Sequence, residues 1–203
     1  QGPMTYSLLS GLVLFCFVSS ITPGPNNLML MATGANFGAR SALPHASGIV
    51  LGFTFMIIAI GLGVAQLFQS YPLAHQLLGG ISVIYLVYLA YRTATASTSL
   101  DSPEPTGKPI TFWQAAAFQW VNPKAWTMAL AAVTVYAPQP VTHKDVITVA
   151  IIFGIINLPC ISVWLLLGVK MRRFLTTPAR LRGFNWTMAG LLLLSLAPIA
   201  ALN

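Results

Sequence analysis

Apolar residues in this chain gather into six long blocks: about Thr5 to Asn36, Leu43 to Gln66, Tyr71 to Tyr91, Thr111 to Tyr136, Val146 to Val169 and Phe184 to Leu202. Each is long enough to cross a hydrocarbon core of about 30 Å as a helix. Runs such as Gly48 to Ala65 are apolar on every side, whereas a membrane-spanning strand alternates apolar and polar positions over about ten residues. The pattern predicts an all-α membrane protein with six transmembrane helices.

Two blocks are interrupted by polar, proline-bearing motifs. Ile21-Thr22-Pro23-Gly24-Pro25-Asn26-Asn27 stands inside a first block with no charged residue from Thr5 to Ala39, and Gln119-Trp120-Val121-Asn122-Pro123-Lys124-Ala125-Trp126 stands inside the fourth. Ten residues separate Asn26 from Asn36 at one end of the first block, and ten separate Phe112 from Asn122. At 1.5 Å per residue both breaks lie about 15 Å from the same face, near the midplane. A proline inside a helix lacks its N–H and displaces the carbonyl four residues earlier, so Pro23, Pro25 and Pro123 are expected to free the carbonyls of Ser19, Ile21 and Gln119. At that depth irregular backbone is tolerated only where protein buries it or where it lines a polar cavity. The arms after Pro25 and Pro123 offer free N–H groups and a positive dipole end to an anion, and the arms before the breaks offer carbonyls to a cation. Taken singly, either motif reads as a proline kink, and the first also as a turn after an 18-residue span. Two breaks at matched depth, one of them with a lysine, point to a site.

Between the third and fourth blocks, residues 93–110 are rich in Ser, Thr and Pro and carry Asp101, Glu104 and Lys108. They read as a cytoplasmic linker that divides a single transmembrane domain, 1–203, into repeat 1 at about 5–92 and repeat 2 at about 111–203. Three helices is an odd number, so the second set enters the membrane from the opposite side, the arrangement of two inverted three-helix repeats with helices 1 and 4 broken near the midplane.

Composition agrees: of 203 residues 56% are hydrophobic and 6% charged, with mean hydropathy +0.77, against roughly 25% charged in a soluble domain. A net charge of +7 raises nucleic acid as a partner. However, Arg40, Arg92, Lys108, Lys170, Arg172, Arg173, Arg180 and Arg182 fall in the connections after blocks one, three and five, and only Lys144 falls in the others. That bias is a positive-inside signal, which removes the argument for nucleic acid and places both termini in the periplasm. No basic region precedes the first block, so it does not read as a cleavable signal, and Gln1-Gly2-Pro3 before Met4 reads as an appended remnant. Cys16 and Cys160 each fall within a block and read as small buried thiols.

Lys124 is the one Lys or Arg inside a predicted span, with no Asp or Glu in any span to pair with. An ion at that depth is by default functional, and snorkelling from ten residues down is a long reach. His45, at the start of the second helix, is the candidate for a group titrating near neutral pH, with a structural histidine as the alternative. His75 and His143 lie near outer connections. Asn157 with Pro159 weakens the fifth helix and reads either as a packing bond or as a cavity wall. Gly48 and Gly52 form a GxxxG spacing that permits close helix approach, to a neighbour in this chain or in a second copy as a homo-oligomer. No nucleophile elbow, HExxH, GxGxxG, P-loop, pair of intramembrane carboxylates or cysteine–histidine metal spacing occurs, so neither an enzyme, a cofactor nor a metal is expected.

Thr22-Pro23-Gly24-Pro25-Asn26, the Gly48-Ile49-Val50-Leu51-Gly52 stretch and Asn122-Pro123-Lys124 resemble the LysE/RhtB family of amino-acid exporters, as do chain length, helix count and linker position. The resemblance implies export of amino acids or their derivatives from the cytoplasm, with substrate bound near these motifs. Many members carry an aspartate directly after the second glycine. Here Phe53 stands there, leaving a substrate ammonium or a coupling proton without that carboxylate. The expected protein is therefore a secondary exporter of small neutral amino acids in a bacterial inner membrane, embedded in lipid and driven by an ion gradient, with H+ the expected coupling ion. The substrate groups would be Thr22, Asn26, Asn27, Gln119, Asn122 and Lys124, the breaks Pro23, Gly24, Pro25 and Pro123, and His45 the proton-coupling candidate. A passive channel or a non-cycling scaffold is the alternative.

Overall fold

The computed structural model describes residues 4–96 and 107–195. The expected linker between them and the C-terminal residues 196–203 lie mostly or wholly outside the described residues, as do Gln1, Gly2 and Pro3. Among the described residues every element is helical. The first block forms α1 (Tyr6–Ile21) and α2 (Pro25–Ser41), bent by 50°. The second forms α3 (Leu43–Gly61) and the short α4 (Val64–Ser70), and the third α5 (Pro72–Ala94). The fourth gives α6 (Phe112–Phe118), a 3-10 turn Gln119–Val121 and α7 (Pro123–Thr134), and the last two give α8 (His143–Met171) and α9 (Pro178–Leu194).

Block ends differ from the hydropathy reading where capping overrides it. Thr142 and Asp145 form a reciprocal capping box that starts α8 three residues before Val146. Thr177 caps α9 and Pro178 occupies its first position, so that helix begins among charged residues well before Phe184. The second block is not one helix to Gln66, because Gly63 adopts φ +118°, a left-handed conformation that glycine takes without strain, and turns the chain into α4. Gly38, at φ +84°, interrupts α2 in the same way. Pro159 lies within α8, which runs on through it.

By length and composition α3, α5 and α8 can each cross a membrane, and α1 with α2 makes a fourth candidate as one bent span. Phe55, Ile84, Ile155 and Leu166 stand exposed on the outer faces of these helices, as lipid-facing side chains do.

α8 lies at the centre, against α1, α2 and α3, while α3 also packs on α6 and α7, and α5 on α9. Small residues set the closest approaches. A Cβ at Gly168 would run into the Met31 carbonyl, and one at Gly34 would lie 2.6 Å from the Leu165 carbonyl, so α2 and α8 touch backbone to backbone. The neighbour of the GxxxG pair is in this chain: Gly48 faces the Phe112 carbonyl, and a Cβ at Gly52 would lie 2.6 Å from Ala116 Cα of α6. These contacts bring the two broken segments together through α3 and α8.

Candidate functional site

The prolines do not sit inside continuing helices. α1 ends at Ile21, Thr22 and Gly24 are extended (φ −70°, ψ 149° and φ −174°, ψ 179°), and Pro25 is the first residue of α2. Pro123 likewise opens α7. At this position the missing N–H is one the helix would leave unused, and the ring's fixed φ suits the first turn. The carbonyls expected to be free are therefore engaged. Ile21 O accepts from Trp164 Nε1 at 2.9 Å, Ser19 O from Thr22 Oγ1 at 3.2 Å, and Gln119 O from the Asn122 N–H at 3.2 Å. The carbonyls that turn toward the second break are instead those of the extended stretch, Thr22 and Pro23.

Lys124 reaches across to them. Its Nζ donates to Thr22 O at 2.9 Å, Thr22 Oγ1 at 3.0 Å and Pro23 O at 3.4 Å. The ammonium thus rests at the C-terminal end of α1, where the helix dipole and unpaired carbonyls favour a cation. Gly24 makes room for it, since a Cβ there would lie 2.8 Å from Lys124 Cδ and 3.0 Å from Nζ. Two further ties hold the breaks together. Asn26 and Gln119 exchange a reciprocal pair of amide bonds at 2.8 and 2.9 Å, and Gln119 also donates to Ala115 O at 2.9 Å. Asn27 Nδ2 donates to Ser20 O at 2.9 Å and Thr22 O at 2.8 Å, closing the first break on itself. At the second break Asn122 Oδ1 accepts from the Lys124 N–H at 3.1 Å.

A cavity lies between the breaks, walled by Ser19, Ser20, Asn26, Asn27, Asn122, Lys124 and Asn157, with Met128 and Ile161. Its free space takes groups the size of water rather than an amino acid. Its polar groups are one ammonium, hydroxyls and carboxamides. Ser20 Oγ and Asn27 Oδ1, both buried, have no hydrogen-bond partner. Among the described residues no group of His, Cys, Asp and Glu could hold a metal ion.

All six substrate candidates meet here: Asn26, Asn27, Asn122 and Lys124 wall the cavity, and Thr22 and Gln119 are bonded to them. Asn157 lies in the cavity wall. His45 is not among the walls. It is fully buried, its Nδ1 lies 2.9 Å from Thr33 Oγ1, and its Nε2 has no partner. Thr33 belongs to a different cavity with Asn36, Arg92, Thr93 and Lys108. His75 and His143 are exposed, and both cysteines are free and buried. Two participants escape sequence reasoning. Ser20 lies in the last turn of α1, two residues before Thr22, without a pattern to mark it, and Trp164 is 143 residues from the carbonyl it caps.

The model of the family described as LysE type translocator matches residues 17–202. The chain is 30% identical over 172 residues to the protein named cysteine/O-acetylserine efflux protein of Escherichia coli strain K12, covering 84% of this chain and 87% of that one. The proteins of the same name from Shigella sonnei strain Ss046 and Escherichia coli O6:H1 strain CFT073 match to the same extent. No solved structure matches the chain.

Proposed function

The chain belongs to the family of LysE type translocators, and from that premise we propose that it exports small neutral amino acids or their derivatives from the bacterial cytoplasm. Membership makes it a membrane transporter rather than an enzyme. The observation that carries the substrate reading is the Lys124 ammonium lying across both breaks, beside a cavity of hydroxyls and carboxamides. A zwitterion matches such a site, its carboxylate toward Lys124 and the helix N-termini, its ammonium toward carbonyl and amide oxygens. A second positive charge on the substrate would meet no acid, and burying an unpaired ion costs several kcal/mol. The names of the relatives, cysteine/O-acetylserine efflux proteins, fall in the same neutral class.

The transport frame is six spans in two inverted repeats, about 5–92 and 111–203, joined by a cytoplasmic linker. The helix pairings support it. Exchanging α1–α2 with α6–α7, α3 with α8 and α5 with α9 maps α1·α8 onto α6·α3 and α2·α8 onto α7·α3, while α3·α8 and α5·α9 map onto themselves. That exchange is what a two-fold axis relating the two halves predicts, and the odd number of spans in each half turns it into the membrane plane. The basic connections support the orientation, because Arg172 binds Ala35 O and Arg92 binds Lys108 O and Gln114, gathering the ends of α2, α5, α6 and α8 at one basic face. By the positive-inside bias that face is cytoplasmic, and both termini are periplasmic. Export is antiport with protons, with His45 as the buried titratable group in the frame.

Proteoliposomes test this directly. Labelled L-cysteine and O-acetyl-L-serine should accumulate only when a pH gradient is imposed, and excess L-lysine should not compete. Equilibration without accumulation would make the protein a passive channel, and competition by lysine would overturn the neutral preference. For orientation, a membrane-impermeant thiol reagent applied from outside should label Lys144→Cys and not Lys170→Cys.

A further inference from the structure

Hydroxyls on these helices have a default partner. Ser19, Thr54, Ser82, Thr93 and Ser162 donate to carbonyls four residues earlier, at 2.6 to 2.9 Å, as serine and threonine in helices commonly do. Ser20 does not: 3% exposed, its Oγ has no partner. Asn27, also 3% exposed, spends its NH2 group on Ser20 O and Thr22 O, which fixes the amide orientation and leaves Oδ1 unpartnered. Turning the amide over would set its oxygen against two carbonyls. A buried hydroxyl and a buried amide oxygen, both able to accept, therefore stand without a partner on residues that wall one cavity, an arrangement a folded chain rarely keeps without a use.

The chemistry of these atoms and their surroundings selects the ligand. Carbonyl, amide and hydroxyl oxygens with no acid suit a primary ammonium, which brings three donors. Asn27 Nδ2 and Lys124 Nζ both donate to Thr22 O, at 2.8 and 2.9 Å, so an ammonium received at Asn27 Oδ1 stands one amide group and one shared carbonyl away from the lysine. Two positive charges that close repel strongly where water is scarce.

We propose that Ser20 Oγ and Asn27 Oδ1 receive the substrate's primary ammonium, and that its arrival moves Lys124 from the Thr22 and Pro23 carbonyls onto the substrate's carboxylate. The inference rests on the exporter reading above. Lys124 is then a tethered stand-in for the substrate's ammonium, and the first break holds one of the two at a time. No proton moves in this exchange, because the lysine stays charged and only changes acceptors. The empty carrier keeps α7 tied to the α1–α2 break, and the loaded carrier is untied there. Loading and helix movement are linked through one side chain.

Calorimetry on the purified full chain with three probes separates the parts: L-cysteine, N-acetyl-L-cysteine, which has no ammonium, and cysteamine, which has no carboxylate. The wild type should prefer cysteine to N-acetylcysteine at least tenfold. Ser20→Ala should weaken cysteine about tenfold to a hundredfold, the worth of a hydrogen bond to a charged group, and narrow that preference, while Ser20→Thr restores both. Should Ser20→Ala not fold, Ser20→Cys, similar in size and a poor acceptor, carries the same expectation. Lys124→Met should weaken cysteine yet bind cysteamine as well as or better than the wild type, since no lysine has to be expelled. Cysteine affinity untouched by Ser20→Ala, or lost to the same degree for all three probes, overturns the ammonium site. Cysteamine weakened by Lys124→Met as much as cysteine overturns the exchange. A wild type that binds none of the three overturns the amino-acid reading of the preceding section, and this one with it.

Discussion

The two breaks look alike in sequence and are built differently. The second supports itself: α6 tightens into a 3-10 turn, Asn122 caps the first turn of α7 with its own side chain, and Gln119 O is satisfied three residues on. The first is open for three residues, its N-cap Gly24 supplies no side chain, and its carbonyls depend on Trp164 of α8 and Lys124 of α7 as well as on Asn27. A break held by remote side chains can be released by moving them, whereas one held by its own cap cannot. Under the exchange proposed above, the first break is the part expected to change during transport, and the second the arm expected to carry the lysine to it.

Removing the lysine attacks the contrast hardest. Lys124→Met takes the donor from Thr22 and Pro23 and, if the pair with the substrate carboxylate is well desolvated, lowers substrate affinity by about 2 to 5 kcal/mol. Lys124→Arg should restore transport in part only, because a planar fork cannot place its donors as an ammonium does. Uptake into proteoliposomes measures both. Full export by Lys124→Met would return the lysine to a snorkelling role and remove the basis of the comparison.

Gly24→Ala comes next and sharpens the same point. The backbone there is extended, φ −174°, which any residue adopts. The nearest atoms to an added Cβ all belong to Lys124. The expected cost is therefore that of crowding one side chain, about 1 to 3 kcal/mol in thermal stability, together with reduced transport. It should vanish in the background of Lys124→Ala, which removes Cδ, Cε and Nζ together, so that the double variant melts with the Lys124→Ala single one. Such non-additivity marks direct contact, and additive effects would show that the glycine serves something else.

What could be read in advance follows from which forces are local. Both breaks were legible because an asparagine beside a proline at N1 is a local instruction, and so was the gathering of Thr22, Asn26, Asn27, Gln119, Asn122 and Lys124 around them. The identity of the exposed carbonyls was not. It depends on α1 stopping at Ile21 and on three residues outside any helix, rather than on a proline displacing carbonyls within a continuous helix. The start of α9 carried its signal in Thr177-Pro178, masked in a hydropathy reading by the arginines that follow. Trp164 has no signal at all, because its role depends on α8 lying beside the end of α1.

The smallest effects set the remote and the local cap side by side. Trp164→Phe keeps the packing and leaves Ile21 O, a part-buried acceptor, without its donor, a loss of about 1 kcal/mol. Asn122→Ala removes a cap at about 1 kcal/mol. The costs are near each other, but their consequences differ. Trp164 holds the movable break, so Trp164→Phe should alter the transport rate beyond what its melting temperature explains. Asn122→Ala, in the rigid arm, should lower the melting temperature and shift substrate affinity through the placement of Lys124, leaving the rate at saturating substrate near that of the wild type. Rate and affinity measured separately on both variants decide it. If Asn122→Ala slows the saturated rate as much as Trp164→Phe does, both breaks move, and the asymmetry in their caps has no counterpart in transport.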